Sequence, residues 1–271
     1  MRLAINWSPE AAELFDTGKI QFDLYKCPDW PDLVKDAQSQ QAAYIHFPLS
    51  IGAGQMPDWN FAQIHDWLEK TDTRFVNCHI TPRNSHISED IDLDSLTELL
   101  YKEVAALVAE FGEELVIIEN CPYFQGNIDR GYLLQGIEPE LFHNLINATH
   151  CGLLLDVSHA QLTCNALERD FETYINALPV QHIREMHITG IGQWSTGITG
   201  DHMPLTALDW ERVDYCVQQI QNGQWRKPDV MAFEYGGIAM LKDLCGSDKN
   251  AIAEQVPRLW QISQTLEGQQ A

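Results

Sequence analysis

LVIIENC, residues 115–121, decides the fold. Its aliphatic residues run on without the alternation of a half-wet strand, as in strands buried on both faces of a parallel sheet. The same texture recurs at LAINW (3–7), FDLYK (22–26), AAYIHF (42–47), FVNCHI (75–80), GLLLDVSH (152–159), IREMHITG (183–190) and VMAFEYG (230–236). Helical patterns fall between most of these runs. DLDSLTELLYKEVAALVAEFG (92–112) carries apolar residues at i, i+3, i+4 and i+7 and closes on a glycine. Four more helices are expected, over 139–147, 165–178, 208–221 and 250–266, the last interrupted by Pro257.

Eight strands alternating with helices in about 250 residues is the arithmetic of a (β/α)8 TIM barrel. The expected fold class is therefore α/β, a single TIM-barrel domain over residues 1–271. Its first unit is irregular, because SPEAAELFDTG (8–18) leaves room for only a short helix. An open doubly wound sheet is the competing architecture. It would place a Gly-rich nucleotide loop after the first strand, and none is there.

The chain can bury a large interior without disulfides. Its seven cysteines (Cys27, Cys78, Cys121, Cys151, Cys164, Cys216, Cys245) are scattered and form no CxxC pair, so reduced thiols and a cytoplasmic location are expected. MRLAINWSPEAAELF has neither the basic head nor the apolar centre of a signal peptide. No apolar run approaches the roughly 20 residues of a membrane span. The formal charge is −22, from 17 basic and 39 acidic residues, with no cluster of lysine and arginine. Phosphate backbones and anionic membranes are bound through such clusters. No nucleic acid and no membrane is therefore expected as a partner, which leaves cations, small molecules and peptides.

Barrel enzymes build their sites at the carboxyl ends of the strands. Here the third and fourth strands end in His46 and His79, and the fifth in Glu119. The sixth carries Asp156 and His159, the seventh His187 and the eighth Glu234, with Asp201 and His202 in the loop after the seventh. Any one of these has an ordinary structural role, such as a hydrogen-bonded core histidine. Six consecutive strand ends of this kind are harder to explain so. Carboxylates converging on one mouth repel one another unless a cation lies among them, and Arg184 is the nearest base. Imidazoles mixed with carboxylates form a ligand set for zinc, iron or manganese. In the Asp156-x-x-His159 pair the GLLL run before it favours a continuing strand over a helical i,i+3 pair. His65, His86, His143, His150 and His182 are assigned structural roles, and the two PDW triplets (28–30 and 57–59) are read as helix caps. Arg83 is a candidate grip for an anionic group, and Tyr123, Trp194 and Tyr235 are candidate pocket residues.

This order of residues resembles the xylose-isomerase-like TIM-barrel superfamily over strands three to eight, roughly residues 42–236. That group includes endonuclease IV, sugar isomerases and epimerases, and multinuclear non-haem iron oxidative enzymes. The resemblance implies one metal held by Glu119, Asp156, His187 and Glu234, as in the epimerases. It implies further ligands at His46, His79 and His159, as in endonuclease IV and the iron enzymes. Glu119 would then bridge two metals, with His46 and His79 on one, and Asp156, His187 and Glu234 on the other. His159 and His202 would hold a third. Where the family has D-x-H, this chain reads GDHMPL, with Asp201 directly before His202, so His202 is taken as the ligand and the role of Asp201 stays open. The implied cofactors are two or three divalent ions (iron, zinc or manganese). Ions about 3.5–4 Å apart can clamp two substrate oxygens or generate hydroxide at neutral pH.

Four functions fit this set. An oxidative metalloenzyme acting on a peptide or small molecule accounts for the extra histidines and is preferred. A sugar isomerase or epimerase needs a single divalent metal, with Glu119 and Glu234 as the catalytic proton-transfer pair. A phosphodiester hydrolase is disfavoured by the acidic balance. The last is a metal-binding module without turnover.

Overall fold

The computed structural model describes residues 1–268. They fall into two compact units, Met1–His46 with the chain from Glu185 onward, and Phe47–Arg184.

The first unit opens with β1 (Arg2–Asn6), α1 (Pro9–Asp16), β2 (Leu24–Cys27), α2 (Pro31–Gln38) and β3 (Ala43–Ile45). The short helix expected after the first strand is α1. Ser8 caps it by accepting the Ala11 N–H at 3.1 Å, and Pro9 takes the first-turn position where a missing N–H costs nothing. β1 pairs in parallel with β2, setting Asn6 opposite Lys26, and β2 pairs with β3. β3 stops at Ile45, so His46 lies just past the strand, held by its N–H on the Cys27 carbonyl at 2.9 Å.

The second unit holds β4 (Ser50–Ile51), α3 (Phe61–Lys70), β5 (Val76–Ile80), α4 (Leu93–Phe111), β6 (Val116–Asn120), α5 (Gln125–Ile128), α6 (Pro139–Thr149), β7 (Gly152–Asp156), α7 (Val157–Leu167) and α8 (Phe171–Ala177). β4, β5, β6 and β7 pair in parallel in that order. Every residue of β6 is buried, as the unalternating run predicts. α4 starts where Asp92 accepts the Ser95 N–H at 2.8 Å. It then buries one stripe, Leu96, Leu100, Val104, Leu107 and Phe111.

Three local expectations fail here. GLLLDVSH does not stay extended to His159, because β7 ends at Asp156 and α7 begins at Val157. The Asp156 carboxylate accepts the His159 N–H at 2.7 Å, an N-cap that the apolar run before it masked. The helix expected over 165–178 is two helices, broken at Glu168, which sits at φ 53°, and restarted by Asp170, which caps α8 through the Thr173 N–H at 2.8 Å. The second PDW triplet does not cap a helix, and the first only places Trp30 at the N-cap position of α2. Trp30 makes no capping bond, and the cap of α3 is Asn60, which accepts the Gln63 N–H at 3.1 Å.

The first unit resumes at Glu185, within β8 (Ile183–Ile188), and continues with β9 (Gly190–Gln193), β10 (Thr199–Met203), α9 (Ala207–Gln221), β11 (Val230–Phe233), α10 (Ala239–Cys245) and α11 (Lys249–Gly268). β11 pairs in parallel with both β1 and β8. Pro257 lies inside α11 without ending it. β9 and β10 form an antiparallel hairpin in what read as a loop, and its register slips between Gly200 and Met203, around Asp201 and His202. Gly190 makes this hairpin possible. A Cβ there would lie 2.0 Å from the Pro204 carbonyl oxygen, a backbone atom that cannot step aside. Gly190→Ala is therefore expected to cost about 3 kcal/mol, as overpacking does. Urea unfolding at wild-type stability would contradict this. All seven cysteines are free and buried. Among the described residues no helix is long and apolar enough to cross a membrane.

Candidate metal centre

Each unit gathers its own set of donors at its strand ends. In the second unit, β5 and β6 pair with His79 opposite Glu119. His79 donates Nδ1–H to the Leu49 carbonyl at 2.9 Å, and its Nε2 lies 3.2 Å from Glu119 Oε2. His159 donates Nδ1–H to the Asn120 carbonyl at 2.8 Å, with that nitrogen 3.3 Å from Glu119 Oε1. Its Nε2 lies 3.5 Å from Asp156 Oδ2. A backbone carbonyl can only accept, so it holds the proton on Nδ1 and leaves Nε2 as a lone-pair donor. This is how protein scaffolds orient metal-binding imidazoles. The two oxygens of Glu119 thus face two different histidines. Asn120 fixes the neighbouring strand ends by bonding both ways, its amide to the Asp156 carbonyl at 2.9 Å and its oxygen to the Asp156 N–H at 2.8 Å. Glu119 and Asp156 are 1% and 0% exposed, and charges so deeply buried are stable only when paired or bound to metal.

In the first unit, Glu185 and His187 alternate along β8 and so share one face of the strand. His187 Nε2 lies 2.9 Å from Glu185 Oε1, and its Nδ1 lies 3.1 Å from Glu234 Oε1. The His46 ring stands 5.0 Å from that of His187. His46, Glu185 and His187 each offer a ligand atom within 4.8 Å of the others. The Tyr44 hydroxyl donates to Glu185 at 2.8 Å, and Lys26 forms a buried ion pair with Glu234. His202 donates Nδ1–H to the Glu234 carbonyl at 2.9 Å, presenting Nε2 as His79 does, while Asp201 stands 3.9 Å from that Nε2.

The electrostatics of this half favour positive charge. Burial is the largest influence on His187 and would lower its pKa, but the Glu234 and Glu185 carboxylates together overcome it and lift the imidazole to about 10. Burial likewise opposes ionisation of Glu234, and His187 and Lys26 together hold that carboxyl well below its usual range. His202 is raised, with Asp201 and Glu234 overcoming its burial. A metal held by His187 would have to compete with a proton for the imidazole.

The second unit therefore brings together His79, Glu119, Asp156 and His159, and the first brings together His46, His187, His202 and Glu234. Glu185, Lys26, Tyr44 and Asn120 escaped the sequence reading. The signal for Glu185 was its two-residue spacing from His187 in REMH. Lys26 closed an ordinary strand and gave no signal. Arg184 neutralises neither set, since its guanidinium reaches Glu114 at 2.7 Å. His65 pairs with Glu110 at 2.8 Å, His143 bonds the Ala177 carbonyl at 3.0 Å, and His150 ends α6 in the left-handed conformation. Arg83 stacks on Tyr132 at 4.9 Å. Trp194 donates to the Asp201 carbonyl at 2.9 Å, and Tyr235 accepts the Asp248 N–H at 2.8 Å, so both have packing roles. Neither donor set contains a cysteine. Nitrogen and carboxylate donors of this kind suit iron, zinc or manganese, so the residues present fit a divalent metal.

The family model for the RiPP precursor modification enzymes MbnB/TglH/ChrH matches residues 30–224. A UPF0276 protein of Caulobacter sp. (strain K31) is 38% identical over 55 residues, a match that spans 20% of this chain and only 20% of that protein. A xylose isomerase-like TIM barrel protein from Mycobacterium smegmatis, solved in complex with magnesium, superposes with a TM-score of 0.58 at 16% identity, covering 98% of this chain and 97% of that one. D-psicose 3-epimerase from Clostridium cellulolyticum H10 superposes with a TM-score of 0.56 at 12% identity, covering 98% and 99%. At such identities the likeness shows the fold alone, and that fold is the TIM barrel expected from the strand and helix order.

Proposed function

Because the chain belongs to the MbnB/TglH/ChrH family of RiPP precursor modification enzymes, we propose that it modifies a precursor peptide oxidatively, using two or three divalent metal ions, iron by preference. That it is a metal-dependent TIM-barrel enzyme follows from the family itself. The observation that carries the finer reading is the imidazole geometry. His79, His159 and His202 each give Nδ1–H to a backbone carbonyl and keep Nε2 for a ligand bond.

His79, Glu119, Asp156 and His159 would hold metal in the second unit, and His46, Glu185, His187, His202 and Glu234 in the first. The Asp201 carbonyl accepts the Trp194 indole N–H, and its carboxylate stands 3.9 Å from His202 Nε2. When bound, the metal supplies Lewis acidity and, as iron, the capacity for one-electron chemistry. The residues themselves hold position and charge. Glu119 turns Oε2 toward the free Nε2 of His79, where a metal could be shared, while its Oε1 lies against His159 Nδ1, the nitrogen that bonds the Asn120 carbonyl. Tyr44 and Lys26 fix the carboxylates of Glu185 and Glu234. Strand-end positioning of this kind is what a preorganised site requires.

The isomerase reading assigns Glu234 a shuttling proton. Its carboxylate is engaged by both Lys26 and His187, which suits a fixed charge better than a moving one. Nor does a single-metal site use His46 and His79. A net charge of −22 supports a peptide or small molecule over nucleic acid. Elemental analysis of protein purified without chelator tests the reading. Two or three irons per chain are expected. One manganese or magnesium per chain would favour the isomerase, and protein free of metal would end the proposal.

A further inference from the structure

The first unit contains a cavity of about 310 Å³, and His46 and His202 line it. That volume lies at the lower end of the range for ligand pockets, about 300–1,000 Å³, so it suits one large side chain and not an extended ligand. Two of its polar lining residues, Asn6 and Lys26, are already engaged. The Asn6 amide donates to the Glu234 carbonyl at 2.9 Å and to the Gly236 carbonyl at 3.0 Å, and Lys26 is ion-paired with Glu234. What remains to meet a ligand is Trp7, Leu33, Ile238 and Leu241.

Two further lining residues reach solvent, Trp30 at 47% exposure and Met240 at 75%. Large apolar groups left in water beside a cavity mark a surface that something covers. The wall they belong to is also strained. Ala239, beside Met240, sits at φ 50°, a left-handed conformation that costs a residue with a Cβ and gathers at ligand-binding sites. Two indoles and a thioether favour an aromatic guest over an aliphatic one, through offset or edge-on ring pairs and sulfur–ring contacts.

We propose that this cavity is a specificity subsite for an aromatic side chain of the peptide, close in sequence to the residue being modified. The inference rests on the peptide reading above. It adds that the enzyme selects an aromatic neighbour through Trp7, Trp30 and Met240, while His46 and His202 hold metal against the same space.

Saturation-transfer NMR on the metal-loaded protein tests it, with N-acetyl-phenylalanine amide as probe and N-acetyl-leucine amide and N-acetyl-glycine amide as comparators. The phenylalanine probe is expected to bind, the leucine compound several-fold more weakly, and the glycine compound not at all. Trp30→Ala removes one ring and is expected to weaken phenylalanine binding by about tenfold, the upper reach of an aromatic pair. Leu241→Glu places a charge in the cavity and is expected to abolish binding. Metal content at the wild-type level in both variants shows that they fold. No binding to wild type, equal binding of leucine, or binding unmoved by both substitutions would overturn the subsite. Probe binding by wild-type protein that takes up no metal would retire the metal reading and leave the subsite standing.

Discussion

Glu119→Ala is expected to leave the protein nearly devoid of metal in the second unit. The carboxylate is 1% exposed, and its two oxygens lie 3.2 and 3.3 Å from His79 and His159. Residues that merely orient a ligand cost about 10–100-fold in affinity when removed, so loss of a shared ligand is expected to exceed about 100-fold. Glu119→Gln keeps the volume and one oxygen but loses the charge, and is expected to fall between the two. Metal quantification alongside circular dichroism checks this. A folded Glu119→Ala protein that retains full metal would contradict the shared role of Glu119.

Lys26→Met is expected to have the second largest effect, and on stability. Lys26 and Glu234 form an ion pair with side chains only 8% and 4% exposed. Removing one partner of a buried pair strands the other charge and costs about 3–5 kcal/mol. His187, at 3.1 Å from the same carboxylate oxygen, recovers part of that and brings the expectation toward about 3 kcal/mol. The loss is expected to be larger in metal-free protein, because a bound cation gives Glu234 another partner. Urea unfolding with and without chelator measures both values. Equal losses in the two states would remove Glu234 from the ligand set, and no loss in either would make the ion pair unimportant.

The barrel was legible because short apolar runs alternate with helical patterns along the chain. Wherever one side chain settled the local structure, the pattern misled. Asp156 turns β7 into α7 through a single capping bond, and an apolar window before it outweighs one acid. The β9–β10 hairpin is glycine-rich and carries little strand propensity, so it read as a loop, although Gly190 is needed for its close approach to Pro204.

The donor sets show the same division. His79 and Glu119 were visible because both stand at strand ends and pair across the register. Glu185 was hidden because it stands inside its strand and not at its end, where the side-chain period of two places it beside His187. Lys26 and Tyr44 were invisible for a different reason. A lysine or tyrosine gains meaning only from a carboxylate brought to it by the fold, and Glu234 and Glu185 lie 208 and 141 residues away along the chain.

Anomalous scattering from crystals of protein grown without chelator, recorded on either side of the iron edge, tests the central claim most directly. The account predicts peaks within about 2.0–2.2 Å of His79 Nε2 and the Glu119 carboxylate, and a further peak at His46, Glu185 and His187. Anomalous density absent from both places, or confined to surface carboxylates, would contradict it.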